Sequence, residues 1–219
     1  MPKHSLAQRS LPLEKPLGRA TPHPLSIAKL RREAAECTRC PLYANATQTV
    51  FGAGPAAARV VMVGEQPGND EDRSGAPFVG PAGRVLDGLL EEAEIDRALV
   101  YVTNAVKHFK WVPRGKRRIH SKPTHGEVDA CRFWLDQEMT AVRPRVIVAL
   151  GATAAYAMMG PNFRLTPNLG KALASPWSQY WIGTYHPSML LRSQEPQARA
   201  RLRALVLGHL RHAWELASA

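Results

Sequence analysis

The chain has 219 residues, enough for one large core with a loose end. Lys and Arg number 29 against 18 Asp and Glu, a formal net charge of +11, and a surplus of that size favours a polyanionic partner such as nucleic acid. No stretch reaches the roughly 18 apolar residues of a membrane span, no apolar run follows the basic N-terminus as a secretory leader requires, and three cysteines are an odd count that argues against a disulfide framework; the expectation is a soluble cytoplasmic protein with a metal or redox site.

Residues 1 to 25 carry Pro2, Pro12, Pro16, Pro22 and Pro24 among basic and polar residues with no sustained period. They are expected to form a disordered arm ahead of a single domain over 26–219. "RVVMVG" (59–64) is a continuous apolar run that predicts a buried strand. "AGRVLDGLLEEA" (82–93) has helical spacing, and "LVYVTNAV" (99–106) predicts a second strand. "THGEVDACRFWLDQEM" (124–139) opens with Thr124 and has Glu127 at the capping-box offset, so it predicts a helix. "RVIVALG" (145–151) predicts a third strand before the helix-like "ATAAYAMMG", and "YWIGTYHPS" (180–188) a fourth that ends in a His-Pro turn. A basic amphipathic helix over 196–217 closes the chain, and nothing is assigned to 161–171 or the segment after it. Strands separated by helical patterns imply a parallel sheet covered on both faces.

In such folds ligands bind beyond the carboxyl ends of the strands. The first strand runs into Gly64-Glu65-Gln66-Pro67-Gly68, the second into Asn104 and then Lys107-His108, the fourth into His186-Pro187-Ser188. These polar groups are expected to converge at one rim. Glu/Gln, Asn and His on three strand ends point to a site more strongly than a Gly-rich turn alone.

Cys37-x-x-Cys40 can clamp one metal ion or one edge of a cluster, and Cys131 lies on a predicted helix far downstream. A closed tetrahedral zinc site or a [4Fe–4S] cluster needs a fourth ligand. His108, His120 and His186 are the candidates, and spacing does not choose among them. The alternative is a set of small core thiols with no metal.

"GEQPGNDEDRSGAPFVGPAGRVLD" (64–87), "YVTNAVKHFK" (101–110) and "HPSMLLR" (186–192) together resemble the iron–sulfur uracil-DNA glycosylases of family 4. Within that family the sequence resembles the UdgX branch, through Gln66 after the motif glutamate, His108 where other members have cysteine, and the inserted segment "KRRIH" (116–120). The resemblance covers roughly residues 30 to 215. It implies a three-layer α/β/α sandwich around a mostly parallel sheet, here counted as four-stranded. It implies a structural [4Fe–4S] cluster on Cys37, Cys40, His108 and Cys131 and action on uracil in DNA; separately, a monomer is expected. Base extrusion costs a few kcal/mol, least in single strands, so single-stranded DNA is the expected substrate.

The resemblance also assigns the base pocket. Gly64 opens the motif loop at the substrate, and Phe78 would stack on a flipped uracil. The Asn104 amide can donate to O4 and accept from N3–H, two groups that cytosine reverses. His186 would stabilise negative charge at O2 as the base departs. Lys116 and Arg118 would contact phosphate or support their loop. Asn69 departs from the pattern, standing where close relatives are expected to carry Asp.

"KRRIH" admits two readings. As an ordinary basic loop it holds the DNA backbone, since half or more of protein–DNA hydrogen bonds go to phosphate and sugar. In the branch it resembles, the histidine at the position of His120 bonds covalently to the deoxyribose after uracil leaves. An imidazole held over the sugar has a high effective concentration and can compete with water. Glu65 would orient it or accept its proton, and Gln66 would position groups or bond DNA. Two further readings stand beside this one: a turning-over family 4 glycosylase, and a non-catalytic metal-containing DNA-binding module.

Overall fold

The computed structural model describes residues 25–219. The arm expected over 1–25 lies outside the described residues except for Leu25, which packs on the core. Ser26 caps α1 (Ile27–Ala35), its hydroxyl accepting from the Lys29 amide, and the helix buries Ile27, Leu30 and Ala34 along one stripe. β1 (Val60–Gly64) is followed by the short α2 (Asn69–Ser74) and by α3 (Pro81–Glu92), whose first residue is a proline where no intrahelical N–H is needed. β2 (Val100–Asn104) leads to two short strands, β3 (Trp111–Arg114) and β4 (Arg117–His120). α4 (His125–Val142) opens on the capping box read in the sequence: Thr124 Oγ1 accepts from the Glu127 amide, and the Glu127 carboxylate accepts from that of Thr124 at 2.7 Å. β5 (Val146–Leu150), α5 (Ala152–Met159), β6 (Ala172–Ser175), β7 (Ser178–Thr184), α6 (Ser188–Arg192) and α7 (Pro196–Ser218) complete the chain.

The main sheet has the order β2-β1-β5-β7-β6. Its first four strands run parallel, and β6 pairs antiparallel with β7. Side chains alternate between two cores. Val61, Val63, Tyr101, Ile147 and Trp181 face α1, α4 and α5, whereas Val60, Met62, Val102, Val148 and Ile182 face α3 and α7. With both faces covered, the central strands need apolar residues at every position, which is why they read as continuous runs. No helix among the described residues is long and apolar enough to cross a membrane.

Two expectations are corrected. The sheet has five strands, not four. β6 is a four-residue edge strand with alternate residues exposed, so it has no apolar run to announce it. "KRRIH" is not a loop: its last four residues form β4, paired with β3 in the register Trp111↔His120 and Arg114↔Arg117. Gly115 at φ 59° opens the two-residue turn between them.

The chain leaves β1 for β2 on one side and returns to β5 on the other. The order therefore reverses between β1 and β5, and the crevice beyond their carboxyl ends is where this class of sheet binds ligands.

Candidate active site

A cavity of about 860 Å³ opens at that place. Glu65, Gln66, Phe78, Asn104, His120 and His186 all line it, so the three strand ends meet as expected, joined by Phe78 and His120. Lys107 and His108, expected at the same rim, do not. Lys107 is fully buried below it, and His108 turns toward Thr49, whose hydroxyl is 2.9 Å from Nε2.

Gly64 contributes space rather than a surface. It is absent from the cavity wall, and a Cβ there would overlap Asn104 Oδ1 and come within 2.7 Å of the Phe78 ring. Gly83 does the same service behind Phe78, because a Cβ on it would run into the Phe78 carbonyl. Phe78 itself is held at φ 59°, an uncommon conformation for an aromatic residue and one kept only where packing enforces it. Its ring lies within 25° of parallel to that of His186. The Asn104 side chain is buried yet makes no hydrogen bond among the described residues, so its amide is free to read a ligand.

His186 Nδ1 accepts from the Ser188 amide at 3.2 Å and lies 2.8 Å from the Ser188 hydroxyl. A backbone amide can only donate, so the neutral ring carries its hydrogen on Nε2. Burial is the main cause that pushes the His186 pKa down, to about 4, with Arg192 and His120 adding to it and the Glu65 charge opposing. Near pH 7 His186 is a neutral donor.

The β3–β4 hairpin brings His120 over the cavity, its side chain half exposed and its Nε2 3.3 Å from Glu65 Oε1. Burial works to raise the Glu65 pKa, but hydrogen bonds from His120 and Thr153 and the nearby imidazoles outweigh it, and the carboxyl stays below its ordinary range. Two clamps fix the hairpin. Gln66 accepts from the Lys110 amide at 3.1 Å and donates to the carbonyls of Lys110 and Ser121, closing its base. Arg118 donates to Asp72 at 2.6 Å, to Thr47 at 3.1 Å and to Asn69 Oδ1 at 3.0 Å, and its guanidinium stacks over Phe109 and Trp111. Of the two roles open to Arg118, phosphate contact or loop support, the structure gives the second. Gln66 likewise positions the hairpin. Asn69 keeps the acceptor its position needs, and the fully buried Asp72 carries the negative charge.

Below Asn104 lies a closed polar network. Lys107 Nζ donates to Thr103 Oγ1 at 2.6 Å, to the Asn104 carbonyl at 2.8 Å and to the Glu138 carboxylate. Glu138 also accepts from Tyr101 Oη and the Gly52 amide. Both charged side chains have no exposed surface, and their mutual satisfaction is what makes such burial tolerable.

The three thiols are buried in the same core cluster. Trp134 donates to Cys37 Sγ at 3.1 Å and the Lys107 amide to Cys131 Sγ at 3.2 Å. Burial pushes Cys131 up to about 12 and raises Cys40 as well, so neither ionises near neutral pH without a cation. Burial also lowers the His108 pKa, and its Nδ1 is a buried nitrogen with no partner. Three buried sulfurs and one orphaned imidazole nitrogen fit a metal group in kind and number. Among the described residues no three or more such donors are grouped closely enough to hold a single metal ion.

Sequence reasoning missed Asp72, Glu71, Glu138 and Thr153. Glu71 accepts from the amides of Gly68 and Gly80, tying the motif loop to the Phe78 turn. The first two sit in an acidic run that reads as surface, and no local signal marks the others.

Residues 51–210 match the family model described as the Uracil DNA glycosylase superfamily. The chain is 41% identical over 165 residues to a Type-4 uracil-DNA glycosylase of Thermotoga maritima, covering 75% of this chain and 82% of the relative. It is 34% identical to proteins of the same description from Sulfurisphaera tokodaii, over 76% of each chain, and from Pyrobaculum aerophilum, over 77% of this chain and 86% of the relative. With this match, and with glutamate, asparagine and histidine gathered at the switch point of the sheet, the chain belongs to the uracil-DNA glycosylase superfamily.

Proposed function

We propose that this protein excises uracil from DNA, single-stranded for preference, and that His120 then bonds to C1′ of the sugar left behind, as in the UdgX branch its sequence resembles. The relatives named as Type-4 uracil-DNA glycosylases support the first step. The observation that carries the second is the placement of His120: a hairpin clamped at its base by Gln66 and along β4 by Arg118 holds its ring at the cavity mouth beside the Glu65 carboxylate.

The N1–C1′ bond breaks with its electron pair going to the base. The Asn104 amide and the Nε2–H of neutral His186 take up the negative charge. The lone pair of the His120 imidazole forms the new bond to C1′, where positive charge has developed. The ring becomes an imidazolium, which the Glu65 carboxylate stabilises as its counter-charge before the N–H proton passes to solvent. A turning-over enzyme would deliver water to the same carbon; here the tethered imidazole occupies that approach. Each molecule therefore acts once, as a monomer in the cytoplasm.

Cys37, Cys40, Cys131 and, through Nδ1, His108 would hold a [4Fe–4S] cluster. Its contribution is structural, joining the segment before β1 and the turn after β2 to α4.

The test is a boiled SDS gel of the protein with labelled DNA carrying one uracil, beside a thymine control. A shifted band with uracil alone is the expected result. Free, alkali-labile DNA without a shift would establish the second reading, a turning-over glycosylase, which the relatives' description favours. Intact DNA in both lanes would overturn both.

A further inference from the structure

We infer that Thr153 is a positioning residue that locks one oxygen of Glu65, so that the other faces His120. The inference rests on the covalent reading above. Thr153 lies in the first turn of α5, directly beyond β5, and is 6% exposed. Its Oγ1 is in short hydrogen-bond contact with Glu65 Oε2. Glu65 is ionised near neutral pH and can only accept, so the hydroxyl donates. No other group bonds Oε2 among the described residues. The two oxygens are thus divided: Oε2 belongs to Thr153, and Oε1 stands 3.3 Å from His120 Nε2.

The turn that carries Thr153 holds the other side of the site as well. Gly151, at φ 92°, packs so that a Cβ on it would meet the His186 Cβ at 3.1 Å. The β5–α5 turn therefore touches both the carboxylate beside the nucleophile and the histidine beside the leaving group. It does so from the strand next to β1 at the switch point. Without the hydroxyl, Glu65 is free to turn about its terminal torsion, and Oε1 leaves the line to His120.

The titratable and charged groups facing Glu65 are His120 from the hairpin and His186 from beyond β7, with Asp70, Glu71, Lys122 and Arg192 on the cavity wall. None replaces a donor at Oε2. Loss of that donor weakens the anion, so the acid limb of the rate profile moves to higher pH.

The test is the single-turnover rate, read as uracil release and as adduct across the acid range from below the ordinary carboxylate pKa upward, in Thr153→Val, Thr153→Ser and Glu65→Gln. Thr153→Val is nearly isosteric and is expected to slow adduct formation on the order of tenfold, as loss of a hydrogen bond to a charged group does. It should move the acid limb upward, and Thr153→Ser should restore both. In a Glu65→Gln background Thr153→Val should add nothing, because its effect passes through the carboxylate. A wild-type rate and limb in Thr153→Val, or equal losses with and without Glu65, would overturn the inference and leave Thr153 a packing residue. If the wild-type protein yields free abasic DNA and no adduct, the covalent reading falls. The same limb, read on uracil release, then decides Thr153 separately: a shift upholds its hold on Glu65, and no shift removes it.

Discussion

Gly64→Ala adds a single methyl group at the end of β1. The new carbon would lie 2.7 Å from Phe78 Cζ and closer still to Asn104 Oδ1. Neither neighbour can yield cheaply. Phe78 is held at φ 59° with its carbonyl against Gly83, and Asn104 is tied through its carbonyl to Lys107. Overpacking of this kind costs about 1–3 kcal/mol. In a chain of this length that lowers Tm by about 2–12 °C. The functional loss should be larger, because a shift of about 1 Å in a positioning group can reduce the rate roughly hundredfold. The assay is single-turnover release of uracil from single-stranded DNA, with Tm measured on the same preparation. A folded Gly64→Ala protein that releases uracil as fast as wild type would refute the argument that Gly64 serves by making room for the base-reading pair.

Burial depresses the His186 pKa from its ordinary value to about 4, so as pH falls the unfolded chain takes up that proton first and stability is lost. Between pH 7 and pH 5 the loss is about 2 kcal/mol, and urea denaturation of His186→Gln should show that much less pH dependence than wild type. Asp72→Asn leaves the Arg118 clamp without its charged partner, and single-turnover kinetics should show adduct formation falling roughly ten- to hundredfold while uracil release is little changed; equal losses in both would place the clamp in excision itself. Cys131→Ser should bleach the visible absorption of the purified protein and lower its Tm; a colourless wild-type protein would remove the cluster.

The four parallel strands were legible because β1, β2 and β5 are buried at every position and β7 over its last four, and the site residues at their ends followed from the sheet rule. The fifth strand and the hairpin were not. β6 is a short exposed edge. β3 and β4 are short and mostly exposed, so their pairing follows from Gly115 and from contacts with Gln66, Asp72 and Asn69 that no local pattern encodes. The same limit explains Lys107, which looks like a surface cation in "NAVKH" and is fully buried against Glu138, 31 residues away. The metal ligands divide likewise. C-x-x-C is visible at once, whereas the choice of His108 among three histidines draws its structural support from a buried Nδ1 without a partner.

The central claim is tested most directly by tryptic mass spectrometry of the protein after reaction with a short uracil-containing single strand. Cleavage after Arg118 isolates His120 on a peptide beginning at Ile119. The account predicts that this peptide carries the mass of the base-free nucleotide and that fragmentation localises it to His120. The modification on any other residue, or an unmodified peptide beside released uracil, would contradict it.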